Sequence, residues 1–289
     1  MLVVDLFCGC GGFSAGASAA GHKVVLAIDN WTDALRTHEY NHPHATHINM
    51  ELGGNLEECR DLILQHVGNQ RWHLHGSPPC QSLSVANRTQ SDMAKGMKLV
   101  NWYLDLVRLC NPDSWSMEQV IAAEKYLKPL GYQTHVINTV NYGVPQTRKR
   151  LFVGEGWRRP AEIGEVSLVQ KLPHLEAEGD LIKGYKNTVS VRKADGSHSH
   201  NRKIMGMEGF KTIYEPTYTL CAAGPLKLYR TGPDGIPQQV RDLTIEECLT
   251  IQGFPPDFSF PPDMGKTSIF KQIGNAVSPP IAFLVMQQL

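Results

Sequence analysis

Cys80 lies in the segment SPPCQSLS, residues 77–84, directly after the apolar run 72–76. A cysteine is a useful nucleophile only as a thiolate, which requires nearby positive charge or a helix amino terminus and some access to solvent. The two prolines before Cys80 restrict the backbone, so its side chain is predicted to project from a stiff loop. Most lone cysteines are inert core residues, and composition alone favours that alternative. The choice between the two therefore depends on what else surrounds this loop.

A glycine-rich segment, CGCGG at residues 8–12, follows the strand-like run 2–7 and precedes a helical stretch. This arrangement lets a ligand approach the backbone closely at a helix amino terminus. Asp29 follows roughly 20 residues later, where a carboxylate can accept hydrogen bonds from both ribose hydroxyls of a nucleoside. The spacing predicts a nucleoside site and leaves NAD and S-adenosylmethionine open, although GxGG is not the GxGxxG order that a pyrophosphate usually demands. A tight turn without a ligand is the alternative.

The elements that must hold these segments can also be predicted. Short β-rich runs alternate with helical stretches up to about residue 155, which indicates βαβ units and a parallel sheet covered on both faces. The predicted strands are residues 2–7, 23–29, 72–76, 114–120, 132–138 and 150–154. This is a doubly wound α/β domain, and the Cys80 loop would lie at the carboxyl edge of its sheet, where such sheets bind ligands.

Residues 156–264 differ from the flanking sequence. Gly and Pro punctuate most of this stretch, and it lacks long apolar periodicity until a helical pattern resumes within residues 242–254. A last helix is predicted at residues 279–288. We therefore expect residues 1–155 and 265–289 to form one domain and residues 156–264 to form a small, irregular one.

Charge and cysteine content restrict the possible functions. Lys and Arg total 28, as do Asp and Glu, so the formal net charge of zero does not support nucleic-acid binding. Only local basic clusters such as TRKR, residues 147–150, could supply a positive face, and a solvated surface is the alternative reading of each. The 7 cysteines form no CxxC pair, which favours reduced thiols over a disulfide framework or a zinc site. We expect no bound metal.

No apolar run approaches the roughly 20 residues that span a bilayer, and the first residues lack the pattern of a secretory leader. These features predict a cytoplasmic protein with no membrane partner.

Six blocks of sequence occur in one order along the chain: DLFCGCGGFS, SPPCQS, MEQV, QTRKRLF, RDLTIEECLTIQGFP and QIGNAVSPP. In content and order they resemble the DNA cytosine-5 methyltransferase family. The resemblance covers the whole chain except the variable stretch before Arg241, which is the target-recognition region in that family. It implies a Rossmann-like methyltransferase sheet, S-adenosyl-L-methionine as cofactor and double-stranded DNA as substrate. We expect a monomer, with a companion restriction endonuclease or phage self-protection as alternative biological settings.

The resemblance assigns catalytic roles to Cys80, Glu118, Arg148 and Arg150. Cys80 would add to C6 of cytosine, Glu118 would donate a hydrogen bond at N3, and Arg150 would hold O2. Arg148 would steady the loop or bind a phosphate. Because C6 cannot be attacked while the base is stacked in a duplex, the cytosine must flip out.

The same resemblance predicts a cofactor pocket and a set of DNA contacts. The cofactor residues would be Phe7, Gly9, Gly11, Gly12, Asp29, Asn30, Asn49, Pro79, Leu99, Asn275 and Val277. Either Asn30 or Trp31 would cover the adenine, and Trp31 could equally be a core residue of the next helix. The DNA contacts would be Gln81, Ser84 and Arg88, in a closing loop at residues 81–96, and Thr219 in the segment PTYTL. The base-reading residues stay open among Arg192, Lys203, Lys227 and Arg230.

The chain departs from the family pattern at Gln119, where an Asn that braces the Pro-Cys loop is usual. This departure bears on the rate of the reaction and not on its class. Three alternatives remain: a transfer RNA cytosine-5 methyltransferase on the same fold, a non-catalytic nucleic-acid-binding homologue, and a dehydrogenase. The intact set of Cys80, Glu118 and Arg150 argues against the second alternative. The third predicts NAD binding and an active Cys80→Ala variant.

Overall fold

The structure is a computed structural model that describes residues 1–79, 90–184, 191–192, 198–199 and 209–289, with the backbone alone described for residues 90–96, 191–192 and 198–199. Cys80, Gln81, Ser84 and Arg88 lie outside the described residues. So do Lys203 and the side chain of Arg192.

Seven strands form a central sheet in the order β3-β2-β1-β4-β5-β7-β6. The strands are β1 (Leu2–Leu6), β2 (Lys23–Asp29), β3 (Thr46–Asn49), β4 (Trp72–Gly76), β5 (Ser114–Gln119), β6 (Thr134–Asn138) and β7 (Lys149–Glu155). Neighbours pair in parallel from β3 to β5, and β7 runs antiparallel to both β5 and β6. The predicted doubly wound sheet is confirmed, with one reversed strand. The short strand β3, which is half exposed, was not predicted.

Helices cover both faces of this sheet. They are α1 (Gly12–Ala19), α2 (Thr32–Asn41), α3 (Leu56–Val67), α4 (Gln90–Cys110), α5 (Glu124–Leu127) and, from the end of the chain, α10 (Pro279–Met286). Apolar residues of α3 and α4 pack on one face, where Ile63, Val100 and Leu106 are buried. Phe13 of α1 and Ile281 of α10 pack on the other face. Residues 90–96, predicted as part of a loop, instead belong to α4.

The region between β7 and α10 has its own core. It contains α6 (Leu168–Lys171), α7 (Leu175–Glu178), β8 (Leu181–Lys183), β9 (Val191–Arg192), β10 (His198–Ser199), β11 (Phe210–Thr212), β12 (Lys227–Thr231), β13 (Pro237–Asp242), α8 (Ile245–Gln252) and α9 (Lys266–Asn275). Four of these strands form an antiparallel sheet in the order β11-β8-β12-β13. Leu228 of β12, Cys248 of α8 and Ile273 of α9 are buried together in one cluster. The region predicted as irregular therefore contains an ordered sheet.

Candidate active site

The root of the Cys80 loop, defined here as Ser77, Pro78 and Pro79, leaves the carboxyl end of β4. Its backbone is held on one side by the hydrogen bond from Ser77 N to Leu6 O, at 3.1 Å. On the other side, the buried amide of Gln119 donates to Pro78 O at 2.6 Å. Gln119 therefore holds the loop root, at the position where the resemblance implies a shorter Asn. Its Oε1 is buried and has no hydrogen-bond partner among the described residues.

Glu118 and Arg150 form an ion pair at the same edge of the sheet. Arg150 Nε lies 2.9 Å from Glu118 Oε1, with the side chains 23% and 13% exposed. Glu118 immediately precedes the brace residue on β5, and Arg150 lies on the neighbouring strand β7. Arg150 Nη1 donates to Lys149 O, which restrains the guanidinium further. The structure thus brings together two of the predicted catalytic residues, both partly accessible.

Arg148 differs from Arg150 although only one residue separates them. Its side chain is 2% exposed, and its Nη1 and Nη2 donate to Leu220 O and Ala276 O, each at 3.0 Å. A phosphate cannot reach a guanidinium that is covered in this way. The predicted role of Arg148 in catalysis or phosphate binding is therefore corrected to an internal one, in which it joins the small-sheet region to the segment after α9.

The glycine-rich turn and Asp29 hold each other in position. Gly9 N donates to Asp29 Oδ2 and Trp31 N donates to Asp29 Oδ1, both at 2.8 Å. Gly9 and Gly11 have φ values of 53° and 96°, which lie in the left-handed region that favours glycine. Phe7 also has a positive φ, of 54°, so the chain turns sharply as it leaves β1. A Cβ built on Gly9 would meet no atom within 4 Å, so open space borders the turn.

Other predicted cofactor residues surround that turn. Asn30 is exposed after β2, and the exposed Asn49 at the end of β3 donates its amide to Thr32 Oγ1 at 2.9 Å. Leu99 of α4 packs against Gly53, whose added Cβ would lie 2.5 Å from Leu99 Cδ2. Pro79 is exposed at the loop root.

The end of the chain returns to the glycine-rich turn at Val277. A Cβ on Gly12 would lie 2.2 Å from Val277 O, so only glycine fits there. Asn275, two residues earlier, is exposed. The side chain of Val277 is buried. Its contact with the glycine-rich turn is therefore made through the backbone, while the side chain of Asn275 is accessible.

Trp31 is half-buried and immediately precedes α2, with Lys271 Nζ 4.5 Å from the centre of its ring. The ring therefore lies at the surface between α2 and α9 and is not a fully buried core residue.

The predicted DNA contacts are only partly described. Thr219 is half-buried, and its hydroxyl donates to Thr147 O at 2.5 Å. A phosphate only accepts hydrogen bonds, so this hydroxyl cannot bind one while the internal bond persists. Arg230 also makes hydrogen bonds within the protein, because its guanidinium donates to Ala177 O and Glu178 O. Lys227 lies 3.7 Å from Asp242 and is one-third exposed.

Sequence reasoning missed two buried polar groups next to the site. One is a set of glutamines: Gln146 Nε2 donates to Gln252 Oε1 at 2.7 Å, and Gln146 Oε1 accepts from Leu220 N at 2.7 Å. The other consists of His73 and His75 on β4, which alternate with apolar residues in WHLHGS. That alternation was visible in the sequence as two histidines on one face of a strand.

The two thiols of the glycine-rich turn are buried, and burial disfavours their thiolate forms. Cys10 is buried, and burial raises the pKa of its thiol to about 12. Burial likewise raises the pKa of Cys8 well above its ordinary value. The described residues hold no group of three or more His, Cys, Asp or Glu side chains suited to a metal ion. None of the helices in the described part of the chain has the length and apolar character that crossing a bilayer requires.

A sequence model of the C-5 cytosine-specific DNA methylase family matches residues 1–155 and 168–289. The chain belongs to the C-5 cytosine-specific DNA methylase family. Its enzyme class is accordingly DNA (cytosine-5) methyltransferase.

Relatives of known name agree with this assignment. The Type II methyltransferase M.HgiDI of Herpetosiphon aurantiacus is 31% identical over 308 residues, which cover 100% of this chain and 94% of the relative. The Type II methyltransferase M.MthTI of Methanothermobacter thermautotrophicus is 28% identical over 303 residues, or 90% of this chain and 88% of the relative.

The fold is shared with a solved methyltransferase, EhMeth of Entamoeba histolytica. It superimposes with a TM-score of 0.69 at 14% identity, covering 100% of this chain and 97% of that one.

Proposed function

We propose that this enzyme methylates C5 of a flipped-out cytosine in double-stranded DNA through a covalent bond between Cys80 Sγ and C6, with S-adenosyl-L-methionine as methyl donor. The observation that carries the proposal is the joint placement of the Glu118–Arg150 ion pair and the Gln119 brace at the root of the Cys80 loop. Polar groups that could hold the base and a braced loop root, immediately before Cys80, thus lie at one edge of the sheet.

The residues around the glycine-rich turn fit S-adenosyl-L-methionine. The open space beside Gly9 admits a ligand close to the backbone, and Asp29 is held rigidly by two backbone donors with each oxygen keeping a further lone pair. We infer that Asp29 accepts hydrogen bonds from the ribose and that Phe7, Asn49 and Leu99 border the adenine, with Asn30 or Trp31 covering it. The backbone of Gly9, Gly11 and Gly12, with Asn275 and Val277, would hold the amino-acid end. When bound, the sulfonium group supplies an electrophilic methyl group.

The proposed chemistry follows from the low nucleophilicity of cytosine C5. Cytosine C5 is a poor nucleophile, so addition of the Cys80 thiolate to C6 first converts the ring to an enamine-like form. In its protonated form, Glu118 would donate a hydrogen bond from Oε2 to N3 and so stabilise the charge that the addition pushes into the ring, while Oε1 stays with Arg150. Arg150 would hold O2 while remaining paired with Glu118. C5 would then take the methyl group as the bond between that methyl group and the sulfonium sulfur breaks. Loss of the C5 proton and breaking of the S–C6 bond would release 5-methylcytosine and the Cys80 thiolate, so one proton leaves for each methyl group transferred.

We further propose that residues 156–264 form the target-recognition domain, that the enzyme acts as a monomer, and that Gln81, Ser84 and Arg88 contact the DNA. The names of the relatives as Type II methyltransferases support a companion restriction endonuclease as the biological partner.

The test uses DNA of mixed sequence in which 5-fluorocytosine replaces cytosine, because the C5 fluorine cannot leave as the proton does. Incubation with S-adenosylmethionine should produce a protein–DNA adduct that survives denaturation in the wild type. The matched variant Cys80→Ser should form none, and Glu118→Gln should form it much more slowly. An adduct that persists in Cys80→Ser would contradict the assigned nucleophile.

The substrate is tested separately by supplying a tritiated methyl group with either DNA or transfer RNA. We expect incorporation into DNA. Incorporation into transfer RNA alone would overturn the proposed substrate while leaving the reaction class intact.

A further inference from the structure

A continuous chain of hydrogen bonds runs along β4 and β5 toward the Cys80 loop. His73 Nδ1 lies 2.8 Å from Ser114 Oγ, and His73 Nε2 lies 2.8 Å from Ser116 Oγ. Ser116 Oγ also lies 2.8 Å from His75 Nδ1. The chain ends where His75 Nε2 lies 2.9 Å from Ser77 Oγ. We call Ser114, His73, Ser116, His75 and Ser77 the Ser-His array.

The array lies inside the protein. His73, His75 and Ser116 have no exposed surface, and Ser114 is 2% exposed. The ring of Phe13 from α1 stacks on His75, with 3.4 Å between ring centres. Neighbouring residues on the opposite face of the same strands, such as Leu74 and Met117, lie in an apolar core. A polar array buried here costs desolvation energy unless its hydrogen bonds are made, so its geometry is strongly constrained.

The shared hydroxyl of Ser116 couples the two histidines. It has one proton and lies between two imidazole nitrogens, so it can donate to one ring while accepting from the other. If His75 carries its proton on Nδ1 and donates to Ser116, then Ser116 donates to His73 Nε2, and His73 also carries its proton on Nδ1. The opposite arrangement places both protons on Nε2. The two rings are therefore expected to adopt the same tautomer.

Both rings remain neutral at physiological pH. Burial lowers the pKa of His73 to about 3, and burial together with His73 lowers the pKa of His75 well below its ordinary value. The tautomers of the two rings, and not a charge, therefore set which group donates in each hydrogen bond of the array.

The array ends beside the catalytic carboxyl. The parallel register of β4 on β5 ends with Gly76 opposite Met117, so Ser77 and Glu118 are the next residues of the two strands. Ser77 is half-buried and leads directly into Pro78 and Pro79. If His75 Nε2 donates to Ser77 Oγ, the hydroxyl proton of Ser77 can be donated to a group in the site. If His75 Nε2 accepts that proton, Ser77 Oγ can only accept hydrogen bonds from the site.

We propose that the Ser-His array is a positioning device for the Cys80 loop, which fixes both the place and the hydrogen-bond direction of Ser77 at the loop root. The inference rests on the proposed function. It adds residues to which the family resemblance assigned no role. Gln119 holds Pro78 from one face of the sheet, and the array holds Ser77 from the other. Ser77, His75 and Ser116 are thus positioning residues, and breaking an inner link should affect the rate more than substrate binding.

The test measures the first-order rate of adduct formation with 5-fluorocytosine DNA at saturating S-adenosylmethionine. Ser116→Ala and Ser77→Ala should each lower this rate, and kcat on normal DNA, by about tenfold, because a displacement on the order of 1 Å can cost up to 100-fold. KM for DNA should change less than about twofold, since neither residue is proposed to bind the duplex. Ser77→Thr, which keeps the hydroxyl, should restore most of the rate. Thr37→Ala, which removes a buried hydroxyl on α2, is the matched control.

Nitrogen-15 NMR of imidazole-labelled wild-type protein provides a second measurement that does not depend on any variant folding. His73 and His75 should be neutral and should show the same tautomer. Opposite tautomers, or a wild-type rate in a folded Ser116→Ala or Ser77→Ala variant, would overturn the inference. Failure of the wild type itself to form the adduct would instead contradict the proposed function.

Discussion

The end of the chain returns to the central sheet at two places that are built in different ways. At the first, α10 packs on α1 through backbone contacts, and we call this the glycine contact. A Cβ on Gly16 would lie 2.3 Å from Pro279 O and 2.6 Å from Phe283 N. At the second, Gln146, Arg148 and Gln252 fill the space between the sheet, the PTYTL segment and α9 with hydrogen bonds, and we call this the polar junction.

The difference shows how the two contacts should respond to substitution. The glycine contact relies on the absence of side-chain atoms, so it should be sensitive to any added atom. The polar junction relies on buried donors that satisfy backbone carbonyls such as Leu220 O, so it should be sensitive to any lost donor. The first positions the helix that follows the glycine-rich turn, and the second lies next to the strand that carries Arg150.

The largest expected effect comes from adding one carbon to the glycine contact. Gly16→Ala should lower the free energy of unfolding by at least about 3 kcal/mol, because the new Cβ overlaps backbone atoms of α10 that cannot move independently. Urea unfolding followed by circular dichroism would measure this. Gly54→Ala is the matched control, since a Cβ there meets no atom within 4 Å. Equal stability of the two variants would show that α10 does not pack on α1 as described.

The polar junction should be broken by removing one guanidinium. Arg148→Met should lower the free energy of unfolding by about 2–4 kcal/mol, because it leaves a buried carbonyl, Leu220 O, without its donor. Arg150→Met, two residues further along the chain and on β7, should lower kcat by more than about 100-fold with a smaller loss of stability. Measuring stability and activity on both variants distinguishes the structural role of Arg148 from the proposed catalytic role of Arg150. The reverse pattern would contradict the internal role of Arg148.

A smaller, pH-dependent effect should arise within the small-sheet region that the polar junction joins to the sheet. Glu247 accepts hydrogen bonds from Arg241 Nη1 at 2.8 Å and from His174 Nε2 at 2.7 Å. Burial alone would raise the pKa of Glu247, but these hydrogen bonds outweigh it and lower the pKa from 4.5 to about 2. A carboxyl whose pKa is lower in the folded protein stabilises it above the unfolded-state pKa, and this contribution disappears as the pH falls toward the folded-state value.

Wild-type stability should therefore fall by up to about 3 kcal/mol more than that of Glu247→Gln between roughly pH 5 and pH 2. Denaturant unfolding at several pH values would measure the difference. Asp263→Asn, which removes an exposed partner of Arg36, should change the pH profile far less, because an exposed ion pair contributes little to stability. Parallel profiles for wild type and Glu247→Gln would show that the ion pairs with Glu247 do not contribute to folding.

The sequence was sufficient to predict much of the sheet that holds the candidate site, because the relevant signals are local. The strands β1, β2 and β4 coincide closely with their predicted bounds, and Glu118 and Arg150, chosen from separate blocks, lie together in the structure. The helical start of α4 at Gln90 was missed, because residues 90–96 are polar and lack an apolar period. The small antiparallel sheet was also missed, since its strands are short and only three-dimensional pairing reveals them.

What the sequence determined by itself was the class of chemistry and the order of its parts, because residue types and spacing within each block are properties of the chain. Tertiary structure alone decided which of two similar arginines faces the site. It also showed that the Gln119 amide donates to Pro78 O, and that His73 and His75 join serines of the next strand in one array. These outcomes depend on contacts between residues far apart in sequence, and the register of neighbouring strands sets such contacts.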